Sequence, residues 1–274
     1  MPEQGTVEAD LTYCVDTGVK PVNETFGEGN VERKYTGTFS SHKMAISDGR
    51  KVRDQFSLEV HGFELVDHET QVKNFLDEDE IKSVYYPEVE QLIKDQTGAS
   101  RVVIFDHTVR IGDEEKQLAH QVREPVLRVH NDYTDWSGPQ RVRDLLPPDE
   151  ADELLKYRFA IVQAWRPIQD ILKTNPLAIA DSRSLATSDL IVSERRYPDR
   201  VGQTYQITYN PDHQWFYFPN MTRNEAIVFK VYESETDGRA RYTAHTSFND
   251  PTTPAGAPPR ESIEMRTLAF FAPN

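Results

Sequence analysis

Short runs rich in β-branched and aromatic residues recur along the whole chain: VEADLTY, FSLEVHGFELV, RVVIFDHTVR, RFAIVQAWRPI, PLAIADSRS, TYQITYN, HQWFYF, EAIVFKVYE and SIEMRTLAFF. Strands this short and this closely spaced, separated by turn residues, close only into a sandwich or a barrel. Helical signals are fewer. From Asp77 to Thr97 an acidic start is followed by apolar spacing through Val84, Val89, Leu92 and Ile93, and Pro87 is expected to divide the segment in two. PPDEADELLKYR, from Pro147, opens with proline and acids as a helix N-terminus should. The architecture expected is a mainly β core with helices outside it. No internal repeat or low-complexity tract interrupts the 274 residues, so one domain is the simplest division.

Composition narrows the partners. A formal charge of −14 disfavours nucleic acid and anionic membrane surfaces, both of which demand a basic face. No apolar stretch approaches a membrane span, and MPEQGTVEADLTY lacks a signal pattern, which points to a cytoplasmic site of action and a small-molecule partner. The single cysteine, Cys14, excludes an intramolecular disulfide and a cysteine-built zinc site. The glycosylation sequons at Asn23 and Asn220 then read as chance matches. Exposed strand edges leave a homodimer open.

Chemistry enters with VHNDYTDW, where His130 and Asp132 stand two residues apart. On a strand such residues share a face and can converge on one metal ion, although the pair taken alone favours a surface hydrogen-bonded pair. Two downstream histidines, His213 and His245, are rivals for a third ligand. After His245 comes Arg260-Glu-Ser262, which on a strand would aim a guanidinium fork and a hydroxyl at one carboxylate. Arg266 competes with Arg260 for that task but lies about 20 Å further along an extended chain. Two imidazoles, one carboxylate and an anchored organic acid are the components of a non-haem iron(II) oxygenase site. Arg166 reads as a stacked structural arginine beside a proline turn, and His107 as unable to chelate together with Asp106, which faces the other way.

Read together, FSLEVHGFELV, FDHTVR, VHNDYT, RVRDLLP, AWRPI, PLAIADSRS, TYQITYNPDHQWFYFPNMT, EAIVFKVYES, AHTSFNDP and PPRESIEMRTLAFF resemble the Fe(II)/2-oxoglutarate-dependent oxygenases over residues 56–271. More narrowly, they resemble the group that holds the hydroxylase component of cephalosporin 7α-methoxylation, a fungal gibberellin desaturase and a fungal meroterpenoid endoperoxide-forming oxygenase. The pattern departs at Gln163 and Gln203, where Asn and Glu are more usual. The resemblance implies a double-stranded β-helix of the jelly-roll or cupin kind. Residues 1–100 would pack on a core made by residues 101–274. It further implies His130, Asp132 and His245 as iron ligands, and Arg260 with Ser262 on the distal carboxylate of 2-oxoglutarate. Fe(II), 2-oxoglutarate and O2 would then serve to oxidise a C–H bond of a small natural product by hydroxylation, desaturation or endoperoxide formation, with release of succinate and CO2. Two other classes stay open on the residues alone: a metal enzyme that does not use 2-oxoglutarate, and a metal-free jelly-roll binding module.

Overall fold

The computed structural model describes residues 5–26, 32–120, 124–198 and 200–273. Among the described residues, fifteen strands follow one another. The first five are β1 (Thr6–Cys14), β2 (Val22–Phe26), β3 (Glu32–Tyr35), β4 (Phe39–Asp48) and β5 (Phe63–Asp67). Next come β6 (Arg101–Ile111), β7 (His130–Asn131), β8 (Phe159–Pro167), β9 (Leu177–Ala180) and β10 (Leu190–Arg196). The last are β11 (Val201–Ile207), β12 (Trp215–Tyr217), β13 (Glu225–Glu233), β14 (His245–Ser247) and β15 (Glu261–Phe270). They form a ten-stranded sheet in the order β1-β4-β12-β9-β14-β7-β11-β10-β2-β3 and a five-stranded sheet in the order β5-β13-β8-β15-β6.

The smaller sheet explains the longest apolar runs. Every residue of β8 and of β13 is buried, because both strands lie inside the sheet and both faces are covered. Ile161 and Trp165 of β8, with Ile227 and Phe229 of β13, enter the core shared with the large sheet. Their neighbours Ala160, Val162, Ala164, Ala226 and Val228 pack on the opposite side. There they meet Ile81, Tyr85, Val89, Leu92 and Ile93 of the helical segment. That segment starts at Asp77, whose carboxylate accepts from the N–H groups of Asp79 and Glu80. It runs as a π-turn over Ile81–Tyr85 and continues as α1 (Tyr86–Thr97). Pro87 falls at the start of α1, and the missing N–H is accommodated by this change of winding without a break. Gly98, at φ 71°, closes the helix in the left-handed conformation. Further along, α2 (Glu114–His120) follows β6, and α3 (Ser137–Leu145) and α4 (Pro148–Leu154) fill the connection from β7 to β8. None of the described helices is long and apolar enough to cross a membrane.

Two sequence expectations are corrected here. FSLEVHGFELV is not one strand: the Ser57 carbonyl accepts from the N–H groups of Val60, His61 and Gly62, and only Phe63–Asp67 is extended. Gly62 makes that turn possible, because its φ is 87° and a Cβ would stand 2.3 Å from the Thr243 hydroxyl. In the other direction, FSSHKMAISD alternates partly buried and exposed positions and forms β4 against β1, although its polar residues hid it from a search for apolar runs. The first 100 residues extend both sheets, with β1 to β4 in the large sheet and β5 at an edge of the small one.

Candidate metal centre

Neighbouring strands of the large sheet, β7 and β14, bring His130, Asp132 and His245 to one point, with one ligand atom from each lying within 4.8 Å of the others. His130 and His245 are directly opposite each other on β7 and β14, so their side chains share a face, and the ring centroids stand 4.4 Å apart. Asp132 arrives differently from the expectation of a shared strand. β7 ends at Asn131, and Asp132 sits in the bend that follows. The bend is held by the fully buried Asn131, whose amide donates to the carbonyls of Tyr133 (2.7 Å) and Val231 (2.9 Å) and accepts from the N–H of Thr243 (3.2 Å). One side chain therefore ties the His130–Asp132 turn to β13 and to the approach to β14.

Hydrogen bonds fix how each donor is presented. His130 Nδ1 lies 2.8 Å from the Arg128 carbonyl, and His245 Nδ1 lies 3.0 Å from the Thr243 carbonyl. A carbonyl only accepts, so each Nδ1 carries the hydrogen and each Nε2 keeps a lone pair for a metal. Burial, then the neighbouring His245, pulls the His130 pKa down to about 3, which keeps the ring neutral. Asp132 Oδ2 accepts from Gln163 Nε2 at 2.7 Å and meets Arg266 Nε at 3.4 Å, while Oδ1 stands 3.5 Å from His130 Nε2. Burial raises the Asp132 pKa, but Arg266, the two histidines and Gln163 together outweigh it and hold the carboxyl well below the usual range. Two imidazoles that present Nε2 and one ionised carboxylate are a donor set that fits iron(II).

Arg260 and Ser262 are also brought together: the Arg260 guanidinium donates to Ser262 Oγ (2.9 Å), Ser247 Oγ (3.1 Å) and the Asn175 carbonyl (3.0 Å), and it lies 5.0 Å from the centroid of the Trp165 ring. Arg260 is buried, and among the described residues no carboxylate pairs with it. Burial pulls its guanidinium down to about 9. A buried cation in that state is the counterpart of an acidic ligand. Arg266 differs: it meets Asp106, Glu264 and Asp132, and donates to Thr108, so it is already neutralised.

The remaining candidates lie elsewhere. His213 is buried between Asp189 (3.0 Å) and the Tyr13 hydroxyl (3.3 Å), in a structural cluster with Trp215. His107 links Tyr86 of α1 to Glu78 across β6. Arg166 donates to His68 and to the carbonyls of His68 and Arg223, and it stacks near Tyr85. Sequence reasoning did not reach Asn131, nor the part played by Gln163 and Arg266. Those two are register partners across β8 and β15, a pairing that no local pattern announces.

A cavity of about 660 Å³ opens beside the triad, lined by His130, Asp132 and Arg266 together with Phe105, Tyr133 and Trp136, among others. That volume suits a small or medium organic molecule.

Comparison with known proteins agrees with this geometry. The family described as an oxidoreductase/YMDC permease-like domain matches residues 11–270. The hydroxylase/desaturase efuI of Hormonema carpetanum is 34% identical, covering 97% of this chain and 95% of its own. The Fe(II)/2-oxoglutarate-dependent dioxygenase nvfI of Aspergillus novofumigatus is 33% identical over 98% of this chain and 93% of its own. A solved structure of the iron and alpha-ketoglutarate-dependent endoperoxidase NvfI superposes with a TM-score of 0.88, covering 99% of this chain and 100% of that one, at 27% identity.

Proposed function

Because the chain belongs to the Fe(II)/2-oxoglutarate-dependent oxygenases, with their jelly-roll core, we propose that His130, Asp132 and His245 hold its iron and that Arg260 with Ser262 grips the distal carboxylate of 2-oxoglutarate. The observation that carries this is the convergence of three donors, each with its non-ligating atom already hydrogen-bonded. Membership of the family answers the two classes left open by the residues, an enzyme without 2-oxoglutarate and a metal-free binding module.

The iron, when bound, couples the decarboxylation of 2-oxoglutarate to succinate and CO2 with O2-dependent oxidation of a C–H bond. The protein's part is positional. The carbonyls of Arg128 and Thr243 orient the two imidazoles, and Gln163 and Arg266 occupy Asp132 Oδ2, leaving Oδ1 as the atom that would ligate the iron. Arg260 and Ser262 fix one end of the co-substrate, and the roof of Trp165 keeps water from that ion pair. The substrate we assign is a small natural product, a terpenoid or meroterpenoid skeleton among the candidates, since relatives carry the names hydroxylase/desaturase and endoperoxidase. A cytoplasmic setting and a homodimer belong to the same proposal. The lone thiol Cys14 needs no oxidising compartment, and β3 ends the large sheet with no further strand beside it among the described residues.

The test is an anaerobic titration with Fe(II) and then 2-oxoglutarate, monitored by the weak visible band of a chelated keto acid. The band is expected in the wild type, absent in His245→Ala, and shifted to at least tenfold higher 2-oxoglutarate in Arg260→Ala with Fe(II) binding retained. A band that survives His245→Ala unchanged, or an Arg260→Ala variant of normal 2-oxoglutarate affinity, overturns the assignment.

A further inference from the structure

The cavity beside the triad reverses the charge of the molecule that holds it. The chain carries 45 acidic against 31 basic side chains, yet six arginines and only four carboxylates line the cavity, with no lysine. The acids are largely occupied: Asp106 and Asp132 meet Arg266, and Asp144 accepts from Gln140. Four of the six arginines differ. Arg128, Arg141, Arg195 and Arg200 form no ion pair among the described residues and lie instead near aromatic rings, Arg128 at 4.3 Å from the centroid of Tyr35 and Arg200 at 4.4 Å from that of Tyr197.

Strand register turns this excess into a place. On β10, β2 and β3, Arg195, Asn23 and Tyr35 are direct neighbours in one row, and Gly202 of β11 continues it. Two residues along the same face stand Ser193 and Thr204. Two further on, Gln206 is opposite His130. One face of the large sheet therefore runs from Arg195 and Tyr35 to the triad, four residues or about 13 Å along β11. Among the described residues, two buried polar atoms on this path have no partner at hydrogen-bonding geometry: the Tyr35 hydroxyl and Gln206 Oε1. Gln206 is only 7% exposed, so its amide is a built feature of the cavity wall. Burial raises the Tyr35 pKa, and the neighbouring Ser193 hydroxyl and then the Arg128 and Arg195 guanidinium groups oppose that rise.

We propose that Arg195, Arg128 and the Tyr35 hydroxyl form an anion subsite, and that the substrate oxidised at the triad is an organic acid whose carboxylate docks there, at the far end of the cavity that reaches the triad. This rests on the triad being the oxidising centre. The carboxylate would accept from both guanidinium groups and from the phenol, which supplies Tyr35 with the partner it lacks. The unpaired Oε1 of Gln206 meets the middle of the substrate. Phe105, Tyr133 and Trp136 offer apolar walls, so a ring-bearing acid is favoured over a small dicarboxylate.

The probes are 1-pyrenebutyric acid and its neutral primary amide, followed by fluorescence anisotropy with Fe(II) and 2-oxoglutarate bound anaerobically. Wild type is expected to bind the acid at least tenfold more tightly than the amide. Arg195→Gln and Tyr35→Phe should each lose most of that preference, Arg195→Lys should restore part of it, and the keto-acid band should be unchanged in all three. Equal binding of acid and amide to wild type, or a preference that survives Arg195→Gln, overturns the subsite while leaving the iron assignment standing. Absence of the band in wild type overturns the iron assignment instead.

Discussion

Asp132 has two oxygens in different surroundings, and that difference is what its neighbours create. Oδ2 accepts from Gln163 at 2.7 Å and meets Arg266, while Oδ1 is left facing His130. Replacing Gln163 by Met keeps the volume and removes the amide, so the carboxylate can rotate and compete with its own metal geometry. Gln163→Met is expected to weaken Fe(II) binding by about tenfold to a hundredfold, as loss of an outer hydrogen bond to a ligand commonly does, with the thermal midpoint nearly unchanged. Fe(II) titration beside a melting curve checks this, and unchanged affinity would show Arg266 alone to be sufficient. The residue scale is also where sequence reads best. His130, Asp132, His245, Arg260 and Ser262 are reachable from spacing together with a family likeness, because each is a chemically unusual residue type for its run. Gln163 and Arg266 are not, since their meaning comes from a register between β8 and β15 that is fixed by the whole sheet.

At the scale of elements, the metal site depends on strands too short to be stable alone. β7 has two residues and β14 three, and neither buries enough to hold its position by packing. Asn131 supplies what they lack, with three hydrogen bonds that reach Tyr133, Val231 and Thr243. At about 1 kcal/mol net per bond, and more where a buried partner is left unsatisfied, Asn131→Ala is expected to cost about 3 kcal/mol. Because Thr243 also supplies the carbonyl that orients His245, the same change should lower Fe(II) affinity. Urea unfolding and Fe(II) titration on one preparation test both, and a loss of stability without loss of affinity would separate the pin from the site. Such elements explain the uneven legibility of the fold. EAIVFKVYE and SIEMRTLAFF form β13 and β15 within the bounds their apolar runs suggest. β2, β3 and β10 are absent from a search for apolar runs because they lie toward one end of the large sheet and carry charged residues.

The whole molecule holds buried imidazoles away from the metal centre, and these set how it responds to acid. His213 is buried between Tyr13, Asp189 and Trp215, and its pKa is lowered from 6.5 chiefly by burial, against the opposing pull of Asp189. His68 is lowered by burial and then by Arg166, from whose guanidinium its Nδ1 accepts a hydrogen bond that a protonated ring could not accept. A histidine whose folded pKa lies below its unfolded value binds more protons when unfolded. Its stabilising contribution is therefore complete above about pH 6.5 and is lost as pH falls below that value toward the folded pKa. The protein freed of metal by a chelator should accordingly hold a stability plateau above neutrality and lose stability between pH 6.5 and 5, before the Glu225 carboxylate, held low by its pairing with Arg50, begins to titrate. Each such histidine contributes a slope of at most about 1.4 kcal/mol per pH unit in that window. His213→Asn is expected to be less stable at pH 7.5 yet to show a shallower decline to pH 5.5 in urea unfolding. An unchanged slope in the variant would assign the acid sensitivity to groups other than this buried ring.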